Sequence, residues 1–326
     1  MRIGLIDVDG HHFPNLALMR ISAYHKAQGD IVEWWFGDIV HYDIVYMSKI
    51  FSDAYSVDIP EPLNADRVIK GGTGYCISLG DDGKEHFDQS KNTLLPPKVE
   101  KMFPDYSIYP QYDFAVSMTS RGCPRGCSFC HVAAKEGRCA VKVADVSDFW
   151  NGQKHIEVLD PNVTACKEKR DLFRQYRETK ASICFNQGLD IRLLNGDDLD
   201  DINHMRIKDL HFAWDNPRDD LAPKFAELAK GFRRKSNIGM VYILTNYNST
   251  MEENLYRIYT LRDLGYDPYV MIYDKPHAPK EIVQLQRWCN SKWIFKSTPR
   301  FEDYNRTGAE QLDGQMSFLN KAGESI

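Results

Sequence analysis

No stretch of this 326-residue chain reaches the roughly 18 consecutive apolar residues of a membrane span, so a membrane-crossing helix and a membrane partner are not expected. Asp7 interrupts the opening run Met1-Arg2-Ile3-Gly4-Leu5-Ile6, and no cleavage-site pattern follows, which reads as a cytoplasmic protein. Positive charge is not in excess. With 41 Lys and Arg against 46 Asp and Glu, the net charge is −5, which argues against tight non-specific binding of nucleic acid. The short basic run Arg233-Arg234-Lys235 suits a solvated helix end as well as a phosphate contact. Eight cysteines are too few and too unevenly spaced for a disulfide-stapled fold. Three of them instead crowd between positions 123 and 130, a clustering that asks for a metal. At 43% apolar and 27% charged residues, the chain has the composition of a folded globular protein rather than a disordered one.

The pattern predicts an α/β protein in two parts. Strands at Arg2–Val8, Ile31–Phe36, Asp43–Met47 and Arg67–Lys70, with a helix over Leu16–Gln28, form a small N-terminal Rossmann-like α/β domain over 1–105. Prolines mark a linker at 106–112. From Asp113 the rhythm changes to strands at Phe114–Met118, Ile156–Leu159, Ile183–Phe185, Leu210–Ala213, Met240–Leu244 and Tyr269–Tyr273, with helices between them. Six such repeats over 113–296 predict a partial barrel of the TIM type, (β/α)6, with its binding loops at the carboxyl ends of the strands. A C-terminal extension, 297–326, follows.

The first of those loops reads Ser120-Arg121-Gly122-Cys123-Pro124-Arg125-Gly126-Cys127-Ser128-Phe129-Cys130-His131. Thiolates are soft, strongly donating ligands, and Gly122 and Gly126 permit the backbone to curl tightly around an iron–sulfur cluster. Three cysteines leave one iron of a [4Fe–4S] cluster open to a substrate or cofactor. The competing reading is a structural zinc site completed by His131 or Cys139. Cys76, Cys166, Cys184 and Cys289 stand singly in apolar or helical settings and read as packing residues.

The spacing Cys123-x3-Cys127-x2-Cys130 after a first barrel strand, with Phe129 before the last cysteine, resembles the radical S-adenosylmethionine superfamily. The resemblance covers about Asp113 to Lys296. It implies that Cys123, Cys127 and Cys130 hold the cluster and that S-adenosylmethionine chelates the fourth iron. It further implies one-electron cleavage to methionine and a 5′-deoxyadenosyl radical, which abstracts hydrogen from an unidentified small-molecule or peptide substrate. A low-potential electron donor such as a flavodoxin or ferredoxin is the implied partner.

Other strand ends supply further candidates. The family often has a Gly-Gly-Glu-like segment after the second strand; here the segment is Leu159-Asp160-Pro161-Asn162, so Asp160 is left as acceptor for the methionyl ammonium, against a simple capping turn. Asn186 and Gln187 suit hydrogen bonding to a ribose or substrate amide, and Arg192 suits a carboxylate, against a structural Asp190–Arg192 pair. Asp215 and Asn246 sit just beyond strand ends, where a ligand rim or helix capping needs polar groups. The N-terminal domain resembles an abbreviated cobalamin-binding domain, in which Asp9, His11 and Pro14 partly match an Asp-x-His-x-x-Gly loop and Gly71-Gly72-Thr73-Gly74 approaches a nucleotide-like tail. A cobalamin-dependent methyl transfer or rearrangement is therefore one alternative. An interaction module, for protein or nucleic acid, stiffened by a cluster is the other.

Overall fold

A computed structural model describes residues 1–10, 12–81, 84–234, 236 and 238–304. His11, Lys235 and positions 305–326 of the expected C-terminal extension lie outside the described residues. The fold is a mixed α/β architecture with parallel and antiparallel sheets. By packing, the chain divides into one compact unit over Met1–Leu210 and a second from His211 onward.

In the first unit, strands Arg2–Asp7, Ile31–Trp34, Tyr42–Ser48 and Ala65–Gly71 form a parallel sheet, with Arg2–Asp7 between Ile31–Trp34 and Tyr42–Ser48. A second parallel sheet lines up Ala115–Ser117, His155–Val158, Ser182–Phe185 and Arg206–Asp209 in chain order. Helix Leu16–Ala27 serves both sheets. Asn15 caps it by accepting from the Leu18 amide at 3.2 Å, and its own amide donates to Ser48 at 2.8 Å. Leu18 and Ile21 pack with Ile3 and Leu5 of the first sheet, while Met19 packs with Tyr109 and Val116 beside the second. Because both faces are covered, its buried residues run almost continuously from Leu16 to Ser22.

The proline-bearing stretch expected as a linker is therefore part of the first unit's interior. Asp105 accepts from Ser22 and Lys26, both at 2.6 Å, the Tyr106 hydroxyl donates to the Phe149 carbonyl at 2.6 Å, and Trp34 donates to the Ile108 carbonyl. Tyr109 is buried and donates its hydroxyl to Asp7 at 2.5 Å, an arrangement that, with burial, raises its pKa. Tyrosines and not prolines decide this segment, since each ring offers apolar area together with one polar tip that finds a partner.

The strand expected at Leu210–Ala213 comes in two pieces. Arg206–Asp209 belongs to the second sheet, and His211–Ala213 pairs with Met240–Thr245 in a third parallel sheet completed by Asp267–Ile272. Two short antiparallel pairs that the periodicity did not reveal are Ile77–Leu79 with Glu85–Phe87 and Ser120–Arg121 with Val141–Lys142. In the second unit, Arg257 on helix Met251–Asp263 is almost wholly buried. Its guanidinium donates to the carbonyls of Trp214, Asp215, Leu244 and Glu253 and to the Asn254 side chain, fastening the helix to two strand ends. Burial lowers its pKa to about 10.

Tyr109→Phe removes the Asp7 partner from a buried position and is expected to cost about 1–3 kcal/mol in urea unfolding. An unchanged midpoint would show that the 106–112 stretch contributes nothing to the first unit.

Candidate functional site

The cysteine loop leaves the second sheet at Thr119-Ser120, and the residue that holds this exit is Asp160. Its carboxylate is 3% exposed and accepts four hydrogen bonds, from the amide and hydroxyl of Thr119 at 2.7 and 2.8 Å and from those of Ser120, both at 2.5 Å. Burial pushes its pKa up to about 6, against these four donors, which favour the ionised form. Both oxygens are engaged within the protein, so the geometry makes Asp160 a clamp on the base of the loop.

Beyond the clamp, Ser120–Arg121 pairs with Val141–Lys142 and closes the loop at its base. Gly122 has φ +87°, and a Cβ there would lie 2.1 Å from the Cys139 carbonyl oxygen, so no other residue fits. The Cys123 amide donates to the Gly137 carbonyl at 3.1 Å, and the Cys130 amide to the Cys127 carbonyl at 3.0 Å, which tightens the turn between the last two cysteines. None of the eight cysteines is disulfide-bonded. They fall into two populations: Cys127, Cys130 and Cys139 are exposed and Cys123 partly so, whereas Cys76, Cys166, Cys184 and Cys289 are buried. Burial pushes the thiols of Cys166 and Cys184 up to about 11 and about 12, as suits packing residues.

A hydrogen-bonded chain ties this loop to the next two strand ends. The Asn162 amide donates to Cys123 Sγ at 3.4 Å, Thr164 Oγ1 donates to Asn162 Oδ1 at 2.6 Å, and the Asp190 amide donates to Thr164 Oγ1 at 3.0 Å. The Asp190 carboxylate then accepts from Arg125 of the cysteine loop at 2.6 Å and from Arg192 at 2.7 Å. Burial alone would raise the Asp190 pKa, but the two guanidiniums outweigh it and hold the carboxyl below its usual range. The structure thus gathers Cys123, Arg125, Asn162, Thr164, Asp190 and Arg192, of which the sequence singled out Cys123 and Arg192 as site residues. Arg192 is bound to Asp190, the structural pairing weighed above. The signal for Asn162 and Thr164 was their place just past a strand end, which by itself does not tell a second layer of support from a helix cap.

The remaining candidates are placed as follows. Phe129 is half-buried within the loop and Gln187 is exposed after the third strand of the second sheet. The Asn186 amide donates to the Val158 carbonyl at 3.0 Å, and its side-chain oxygen accepts from the Cys184 thiol. Asp215 and Asn246 belong to the second unit. Asp215 accepts from the Leu244 amide at 3.1 Å, and Asn246, in the left-handed region at φ +59°, donates to the Tyr273 carbonyl at 2.8 Å. Both brace strand ends there.

The first sheet approaches the cysteine loop from its own strand ends. Lys135, on the short helix Val132–Glu136 after the last cysteine, donates to Thr73 Oγ1 at 2.8 Å, and His131 Nε2 lies 3.7 Å from Glu85. The glycine turn is used for packing: a Cβ at Gly72 would meet the Lys49 carbonyl at 2.2 Å, and one at Gly74 the Phe51 carbonyl at 2.2 Å. Asp9 is buried and accepts from the amides of Ile50 and Phe51. His11, the cobalt ligand the resemblance implies, lies outside the described residues.

Among the described residues, no three Cys, His, Asp or Glu side chains gather as a ligand set for a single metal ion. What the loop offers a cluster is its chemistry: three thiols outside any disulfide, two left-handed glycines, and an amide donor on one sulfur, the kind of outer contact that orients and tunes a metal-bound thiolate. That donor set fits an iron–sulfur group. No helix among the described residues is long and apolar enough to cross a membrane. Compared with known proteins, the chain matches no family model and no curated protein.

Two outcomes follow. With a pKa of about 6 in the folded state, above the ordinary carboxylate value near about 4, the native state binds the Asp160 proton more tightly than the unfolded chain does. The stability this group contributes is full below about pH 4 and is lost as pH rises through about 6, a change of about 3 kcal/mol. Urea unfolding of wild type and Asp160→Asn across that window is expected to show the wild-type-minus-variant difference falling by this amount; a difference independent of pH contradicts it. Gly122→Ala, which combines a left-handed backbone with a backbone collision, is expected to lose about 2 kcal/mol or more. An alanine variant with the wild-type unfolding midpoint would refute the tight packing of Cys139 on the loop.

Proposed function

We propose that this protein is a radical S-adenosylmethionine enzyme in which Cys123, Cys127 and Cys130 ligate three irons of a [4Fe–4S] cluster. The observation that carries the reading is the hydrogen-bonded chain from Cys123 Sγ through Asn162 and Thr164 to Asp190, Arg125 and Arg192. It joins a three-thiol loop to the carboxyl ends of successive parallel strands, the position where α/β folds of this connectivity bind ligands. Within each unit the parallel strands of the second and third sheets follow chain order, the connectivity a partial (β/α)6 barrel requires.

A cluster held by Cys123, Cys127 and Cys130 would supply the one-electron reduction that cleaves S-adenosylmethionine to methionine and the radical that abstracts hydrogen from the substrate. The protein's own residues do the holding. Asp160 keeps the loop base in place, Asn162 donates to Cys123 Sγ, and Asp190 keeps Arg125 and Arg192 beside the loop. Gln187 and Phe129 are the side chains assigned to the adenosine or the substrate. The electron comes from a separate low-potential donor, a flavodoxin or ferredoxin, and the substrate is a small molecule or a peptide.

Anaerobic reconstitution with iron and sulfide, followed by dithionite and S-adenosylmethionine, is expected to yield 5′-deoxyadenosine and methionine in equal amounts. The Cys123→Ser, Cys127→Ser and Cys130→Ser variants should fall to background in both cluster absorbance and product. A fully loaded wild-type cluster that forms neither product rules the proposal out.

A further inference from the structure

Five cations lie between Ser120 and Lys142, and four of them have a carboxylate in ion-pair range. Arg121 faces Glu100 and Glu136, Arg125 binds Asp190, Lys135 lies near Glu136, and Lys142 binds Asp145 and Asp171. The fifth is Arg138. Among the described residues no carboxylate pairs with it. Its guanidinium instead lies against Gly126: Nη1, Cζ and Nη2 sit 2.9, 3.0 and 3.2 Å from the position a Cβ would take on that glycine. Gly126 immediately precedes Cys127, and its φ of +57° presents the bare Cα to the guanidinium. Arg138 is exposed, and its charge stands on the ligand loop with no acid partner among the described residues.

We infer that Arg138 is a cation that raises the reduction potential of the cluster carried by Cys123, Cys127 and Cys130. The inference rests on the iron–sulfur part of the proposed function and adds a positioning role for a residue outside the motif. Reducing a cluster by one electron places one more negative charge on it, and a fixed positive charge seated on the ligand loop stabilises the reduced form more than the oxidised form. Arg125, nearer in sequence to two of the cysteines, is tied to Asp190, a carboxylate it shares with Arg192, so that it is held by an acid partner that Arg138 does not have. Guanidinium suits the task because it is a permanent cation, and here it rests against Gly126. Arg138 touches neither substrate nor reacting atoms, so its effect is on the electron and not on hydrogen abstraction itself.

The test is a potentiometric titration of the anaerobically reconstituted protein, followed by visible absorbance and electron paramagnetic resonance, for wild type, Arg138→Gln and Arg138→Lys. At a fixed solution potential, the reduced-to-oxidised ratio of the glutamine variant is expected to fall about tenfold, equivalent to about 59 mV for one electron. The lysine variant, which keeps the charge, should recover most of that loss. Equal potentials in all three proteins overturn this inference and leave the proposed function standing, as does a lysine variant shifted as far as the glutamine one. Wild-type protein that takes up zinc but no iron–sulfur cluster overturns both.

Discussion

The buried carboxylate of Asp160 is the constraint on which the geometry of the cysteine loop depends. A charge at 3% exposure is costly, and it is tolerated because four donors from two consecutive residues, Thr119 and Ser120, converge on it. Those donors include two backbone amides that have left the second sheet's ladder and need an acceptor. The clamp satisfies the strand's last amides and fixes the direction in which Arg121, Gly122 and Cys123 set out. An apolar residue at 160 would leave both amides without a partner inside the core.

The same economy of partners runs through the first unit. Helix Leu16–Ala27 supplies Leu18 and Ile21 to one sheet and Met19 to the region beside the other, and Arg20 reaches Glu100 and Ser117 from the same turn. Because the two sheets share a helix, the first sheet's strand ends back onto the cysteine loop through Lys135 and Thr73. The glycines at 72 and 74 serve close backbone approach to Lys49 and Phe51. The N-terminal region works as a wall behind the loop.

Strands and helices with clear periodicity were legible in the sequence to within a few residues: helix Leu16–Ala27 and strand Met240–Thr245 lie where the apolar pattern put them. The two-residue ladder Ser120–Arg121 with Val141–Lys142 was not, because it is too short to carry a period and exists only where the two ends of the loop meet. The packing of 106–112 was hidden by Pro104 and Pro110 at and before it, which announce a break in regular hydrogen bonding without saying whether the tyrosines around them find a core.

For the site itself, the sequence alone determined the thiol spacing and the glycines that permit the turn, since both depend on neighbouring residues in one short segment. Tertiary structure decided the tasks of the carboxylates and amides. Asp160 became a clamp, Asp190 a pin for two arginines, and Asn162 a donor to sulfur, because each partner lies some 26 to 65 positions away in the chain where one exists outside its own turn. A polar residue just past a strand end has several uses open to it, and only the burial and the donors around it select one.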